Sequence, residues 1–138
     1  PEWIITRVYL TLHTVNRSDS QLLIESTIAE REKRHLQNVR AAGSFFMNPT
    51  VPLNVVEIFE KEKGVKSREN RVPAGWLIER SGMKGATVGG AIASLQHPNY
   101  IVNQGGATAS DVKTLAEQIR EKVAHNFKVV LHEEAAVM

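Results

Sequence analysis

One segment constrains the fold more than any other. Over residues 111–126, Val112, Leu115, Ile119 and Val123 recur at intervals of three and four, with Lys113, Glu117, Arg120 and Glu121 between them. That spacing gathers one apolar stripe on an α-helix and leaves the opposite face to water. Thr108-Ala109-Ser110-Asp111 supplies the start, because a hydroxyl or carboxylate there accepts an N–H group that the first turn leaves unpaired. A helix with a single apolar stripe must bury it against another layer, which the rest of the chain has to provide.

The remaining segments are shorter. Residues 3–12 mix alternation with β-branched residues and predict a strand, one that starts with no turn or cap before it. A chain opening inside a strand is expected to be part of something larger. Residues 16–20 are turn-like, and Leu22, Leu23, Ile24, Ile28 and Ala29 predict a helix over 20–35. After a loop around Gly43, Val55, Val56, Ile58 and Phe59 predict a helix over 55–63 with Gly64 as its stop, and 66–71 reads as an exposed polar loop. Pro73-Ala74-Gly75 introduces a short helix through Trp76, Leu77 and Ile78, ended by Gly82. Residues 85–91 read as an extended segment between glycine turns, and Tyr100, Ile101 and Val102 as a core strand that Gly105-Gly106 breaks. Residues 127–131 predict a last strand. This order predicts an α+β domain: a small mixed β-sheet with packed helices.

Composition removes several classes of function. The chain has no cysteine, which excludes disulfides, thiolate metal sites and cysteine nucleophiles. Its five histidines show no metal-ligand spacing, so no metal is predicted. Net charge is only +2 and aromatic residues are 6%, without the basic–aromatic interleaving that stacks bases, which argues against nucleic acid. No apolar run is long enough to span a bilayer and no signal pattern opens the chain, so a cytoplasmic location with no membrane association is expected. Arg31, Lys33, Arg34 and Arg40 form a basic cluster that reads as a phosphate-facing patch or, more simply, as a solvated helix face.

Five segments in order carry a resemblance. They are Ala42-Gly43-Ser44-Phe45-Phe46-Met47-Asn48-Pro49; Pro73 to Glu79; Lys84-Gly85 through Ala91; Ile101-Val102-Asn103 with Gly105 to Ala109 and Asp111-Val112; and Val129 to Glu134. Together, over about residues 38–134, they resemble the C-terminal, substrate-binding domain of the UDP-N-acetylenolpyruvoylglucosamine reductases, flavoenzymes of peptidoglycan synthesis. The resemblance implies a division into 1–15, the last strand of a truncated FAD-binding domain; 16–37, a helical connector; and 38–138, the substrate-binding domain. It also implies a complete enzyme that uses NADPH and FAD to reduce an enolpyruvyl UDP-sugar, the flavin carrying the hydride chemistry.

Within that enzyme the resemblance makes Ser44 the proton donor and Glu134 the acid that polarises the substrate carboxylate or assists protonation. Asn48 and His97 would bind substrate, and Arg31, Lys33 or Arg34 would meet the diphosphate or uridine. Read from the residues alone, Gly43-Ser44 and Asn48-Pro49 are ordinary turn signals and the glutamates an exposed strand end. A serine hydroxyl is a poor acid in water, and Phe45 and Phe46 are the apolar neighbours expected to exclude water from it. Glu133 and Glu134 face opposite ways on a strand, so one at most points into a site.

Three departures stand out. The glycine-rich pyrophosphate loops and the Tyr-Arg-x-Ser segment of the family's flavin site do not occur, so flavin-binding residues are not assignable and the chain alone is expected to be inactive. Gly89-Gly90-Ala91 and Gly105-Gly106-Ala107 lack the strand–GxGxxG–helix context and read as turns. Met47 and Ala136 stand where the family commonly has lysine and arginine. The alternatives to a catalytic portion are a UDP-sugar-binding module without catalysis, or a structural remnant that self-associates, with homodimerisation through an exposed first strand.

Overall fold

The computed structural model describes residues 5–34 and 39–134, and for residues 31–34 the main chain alone. The chain divides into two compact units, Pro1–His35 and Leu36–Met138. In the first unit, α1 (Arg17–Arg34) begins where Asn16 Oδ1 accepts the Ser18 N–H at 2.9 Å. Its apolar residues Leu22, Leu23, Ile24 and Ile28 are all exposed. The predicted strand over 3–12 is not formed: residues 5–16 lie in no helix or strand, and Trp3 is outside the described residues. A strand owes its geometry to main-chain hydrogen bonds with a neighbour. No such bond to residues 5–15 occurs among the described residues.

The second unit holds β1 (Arg40–Ala41), α2 (Leu53–Lys63), α3 (Ala74–Arg80), β2 (Thr87–Val88), β3 (Ala91–Ala93), β4 (Ile101–Asn103) and α4 (Ala109–Phe127). The strands form one sheet in the order β1-β4-β3-β2. The α+β class is the expected one, but every pairing among the described strands is antiparallel, so the sheet is not mixed. Each link between neighbouring strands β2, β3 and β4 is short enough for a hairpin, whereas a parallel pair needs a long crossover.

Helix α4 packs on β2 and β3 and touches α3. Ala91 and Ala93 of β3 are fully buried beneath it, and their small side chains let Leu115, Ile119 and Val123 come down onto the sheet with no exposed surface. Trp76 of α3 joins the helices, edge-on to Phe59 of α2 at 5.3 Å and tilted against Phe127 of α4 at 5.8 Å. The predicted strand over 127–131 is displaced. Phe127 completes α4, Lys128 ends it in the left-handed conformation (φ 57°), and the pairing falls instead on residues 132–134.

Candidate functional site

Residues 45–51 form an extended segment held along both edges. Phe45 and Phe46 anchor it in the core, 7% and 1% exposed, with their rings edge-to-face at 5.0 Å. Beyond α4, buried Val129 and Leu131 alternate with exposed Val130 and deliver an extended C-terminal segment alongside. Met47 N–H donates to His132 O at 2.9 Å and Glu134 N–H to Phe45 O at 2.8 Å, so Phe46 lies opposite Glu133. Further along, Val51 N–H donates to Asn70 O at 2.9 Å and Val72 N–H to Pro49 O at 3.2 Å, which sets Arg71 opposite Thr50.

These pairings enclose an open depression of about 460 Å³. Met47, Asn48, Pro49 and Thr50 line it, with His132 and Glu134 from the C-terminal segment and Arg71 from the loop after α2. Glu133 is turned away, its carboxylate 2.5 Å from Arg120 on α4. Adjacent residues of an extended chain face opposite ways, which leaves Glu134 facing the depression. Arg71 brings a guanidinium whose nearest carboxylate, Glu69, is 3.8 Å away, both side chains being well exposed. An exposed pair at that distance holds its partners loosely and leaves the guanidinium available to an anion. Asn48 Oδ1 accepts the N–H of Ala74, the first residue of α3, at 2.9 Å. Its Nδ2 is the donor left to meet a ligand.

Ser44 is exposed and precedes the segment by one residue. Because Glu134 N–H is bonded to Phe45 O, Ser44 and Glu134 sit at the same end of the paired segments. Phe45 and Phe46 do not screen the hydroxyl as expected; they are core side chains and fix the segment from below. His97 is not brought to this depression. It lines another, of about 410 Å³, with Trp76, Pro73 and Pro98, and its ring lies 5.5 Å from that of Tyr100. The side chains of Arg31, Lys33 and Arg34 lie outside the described residues, as does Ala136. Arg71, His132 and Asn99, which grips Phe46, were not singled out by their sequence context. Arg71 lies in a run that reads as an exposed loop, and Pro98-Asn99 looks like a turn.

Of the two glycine loops, Gly89-Gly90 is packed against its surroundings, whereas a Cβ on Gly105 or Gly106 would meet nothing within 4 Å. A Cβ on Gly90 would lie 2.5 Å from Ala107 N and 2.8 Å from Gly105 O, and one on Gly89 would lie 2.5 Å from the Asp111 carboxylate. The close approach requires glycine, and a neighbouring carboxylate makes the place hostile to a phosphate.

Comparison with known proteins agrees with this architecture. The family described as "UDP-N-acetylenolpyruvoylglucosamine reductase, C-terminal domain" matches residues 34–138. The UDP-N-acetylenolpyruvoylglucosamine reductase of Heliobacterium modesticaldum is 35% identical over 98% of this chain and 37% of its own length. That of Pasteurella multocida is 34% identical over 96% of this chain and 42% of its own. The crystal structure of UDP-N-acetylenolpyruvylglucosamine reductase from Thermus caldophilus is similar at a TM-score of 0.59 and 29% identity, over 90% of this chain and 36% of that one. The chain thus spans well under half the length of these relatives. With the C-terminal-domain match running from residue 34 to residue 138, and relatives of about a third identity along nearly all of the chain, the chain belongs to the UDP-N-acetylenolpyruvoylglucosamine reductase family.

Proposed function

We propose that this chain is the substrate-binding and proton-donating part of a flavin- and NADPH-dependent reductase that converts UDP-N-acetylglucosamine enolpyruvate to UDP-N-acetylmuramate. The observation that carries the reading is the joining of Asn48, Arg71 and Glu134 around one depression, with Ser44 at the end of the segment that forms its floor. A nucleotide-sugar is rich in phosphate and hydroxyl oxygens. A guanidinium answers the phosphates, an amide donor the oxygens, and a carboxylate the hydroxyls.

The residues described do not form a flavin cradle. The Gly89-Gly90 loop is filled by Ala107, Gly105 and Asp111, the Gly105-Gly106 turn lacks the strand–GxGxxG–helix context of a dinucleotide loop, and the depression is open. In the complete enzyme Ser44 Oγ would hand its proton to the substrate carbon that becomes carbanion-like after reduction, and Glu134 would polarise the substrate carboxylate or assist that protonation. Both roles need water excluded around an exposed serine, which falls to parts of the enzyme beyond Phe45 and Phe46.

The test is an NMR titration of this chain with UDP-N-acetylmuramate, followed at the amides of Asn48, Arg71, His132 and Glu134. Saturable shifts confined to those residues, and lost in Arg71→Ala, are expected. Shifts clustered around Trp76 and His97 instead, or none at millimolar ligand, would sink the assignment of the depression.

A further inference from the structure

The main-chain groups of Phe46 are not paired with a strand. Its N–H donates to the side-chain Oδ1 of Asn99 at 2.9 Å, and its carbonyl accepts from Asn99 Nδ2 at 2.8 Å. Phe45 N–H donates to the Asn99 carbonyl at 2.7 Å. Asn99 thus takes three main-chain groups of Phe45 and Phe46, while Glu134 takes the Phe45 carbonyl and His132 the Met47 N–H. A carboxamide presents one donor and one acceptor side by side, the same pair a neighbouring strand would offer.

Asn99 is itself fixed. Ser94, 5% exposed, accepts the N–H groups of Gln96 and His97 on its hydroxyl at 3.2 Å each. Tyr100 N–H donates to His97 O at 2.8 Å, and Ser94 N–H to Tyr100 O at 2.9 Å, closing the loop 94–100 at the mouth of β4. The clamp therefore ties the site segment to the sheet through a closed loop and not through a mobile connection.

We propose that Asn99 is a positioning residue of the substrate site, resting on the function proposed above. Its carboxamide holds Phe46, and through Phe46 sets the register in which Ser44 and Asn48 stand beside Glu134. Phe46 is 1% exposed, so losing the carboxamide of half-buried Asn99 takes two main-chain partners from a buried residue.

Asn99→Asp separates positioning from simple folding. It keeps the acceptor for Phe46 N–H but sets a carboxylate against Phe46 C=O, and protonation restores the missing donor. Titratable or charged groups around the clamp are His97 and Tyr100 in its loop, Lys63 and Glu79 lining the depression that His97 enters, and His132, Glu133 and Glu134 across the segment, so wild type is measured at each pH as the control. At neutral pH the variant is expected to bind UDP-N-acetylmuramate about tenfold more weakly than wild type, the loss of about one buried hydrogen bond. As acid protonates the carboxyl, at about pH 4 for an ordinary aspartate, affinity relative to wild type at the same pH should recover. Asn99→Ala should be weak at both pH values. Wild-type affinity for Asn99→Asp at neutral pH, or a loss that does not recover on acidification, would overturn the proposal. If wild type itself does not bind, the function reading fails, and Asn99 is judged by amide hydrogen exchange. Faster exchange at Phe46 and Glu134 in Asn99→Asp, with Leu115 and Ile119 unchanged and reversal in acid, supports the clamp; unaltered exchange at Phe46 and Glu134 refutes it.

Discussion

Asn48 has two tasks on one side chain, and they can be pulled apart. Its Oδ1 takes the orphan N–H at the start of α3, while Nδ2 is the group available to a ligand. Asn48→Ala should lower unfolding stability by about 1 kcal/mol, read as a shifted urea midpoint, and should also weaken ligand binding. Asn48→Asp keeps an acceptor for Ala74 N–H and should recover the stability. Lacking the donor, and placed near Glu134, it should still bind poorly. A variant that recovers both would show that Nδ2 is not used. At this scale the sequence was informative about residue type and silent about direction. Adjacent Glu133 and Glu134 are indistinguishable as letters; Arg120, thirteen residues before Glu133, draws one carboxylate away and leaves the other to the depression. His97 had the right chemistry, but the Ser94 turn sets it beside Tyr100 and Trp76.

Among the elements, α4 was the most readable because its determinants are local. The apolar stripe and the Thr108–Asp111 start lie within the helix itself, and the structure shows a full capping box there. The N–H of Thr108, its hydroxyl and the N–H of Gly90 hold the Asp111 carboxyl below its ordinary pKa. A depressed folded-state pKa adds stability above the unfolded value, and that stability is lost as pH falls through the folded value. The melting-temperature advantage of wild type over Asp111→Asn should therefore be present at pH 7 and shrink as acid carries the carboxyl through its lowered pKa, below about pH 4. An advantage unchanged down to pH 2 would assign the effect to the hydrogen-bond geometry alone. Strands β1, β2 and β3 have two or three residues each, too few for a period-2 pattern to stand out. The small side chains of Ala91 and Ala93 make sense only against α4. The expected strand at 127–131 failed for the same reason: its apolar letters end a helix and bury an extended tail, and the partner that decides the pairing is Phe46, some eighty residues away.

For the whole molecule, the unit Leu36–Met138 carries the sheet, the core and the depression, whereas the unit Pro1–His35 exposes Ile5, Val8, Leu10 and Leu12 together with the apolar residues of α1. Exposure on that scale marks surface suited to another partner. Since Gly89-Gly90 is filled by Asp111 and Ala107 and Gly105-Gly106 lacks a dinucleotide-loop context, the purified chain incubated with excess FAD and then freed of unbound flavin should show no flavin absorbance in the visible region. Retained flavin would mean that the chain, alone or self-associated, builds a cofactor site from residues outside the two glycine loops, and would call for a direct assay with NADPH.

Sequence by itself determined the α+β class, four helices to within a few residues, and the family, through five ordered segments whose motifs are local. The same resemblance pointed to Ser44, Asn48 and Glu134, and equally to His97 and to Arg31, Lys33 and Arg34. Tertiary structure alone decided that Asn48 and Glu134 share a depression with Arg71 and His132, that Glu133 is diverted, that His97 lies elsewhere and that Asn99 grips Phe46. The reason is physical. Helical periodicity and capping depend on neighbours three or four residues apart, so they are written in the order of the chain. The site is made by hydrogen bonds between segments 20 to 90 residues apart, whose register is fixed by packing and not by any one stretch of sequence.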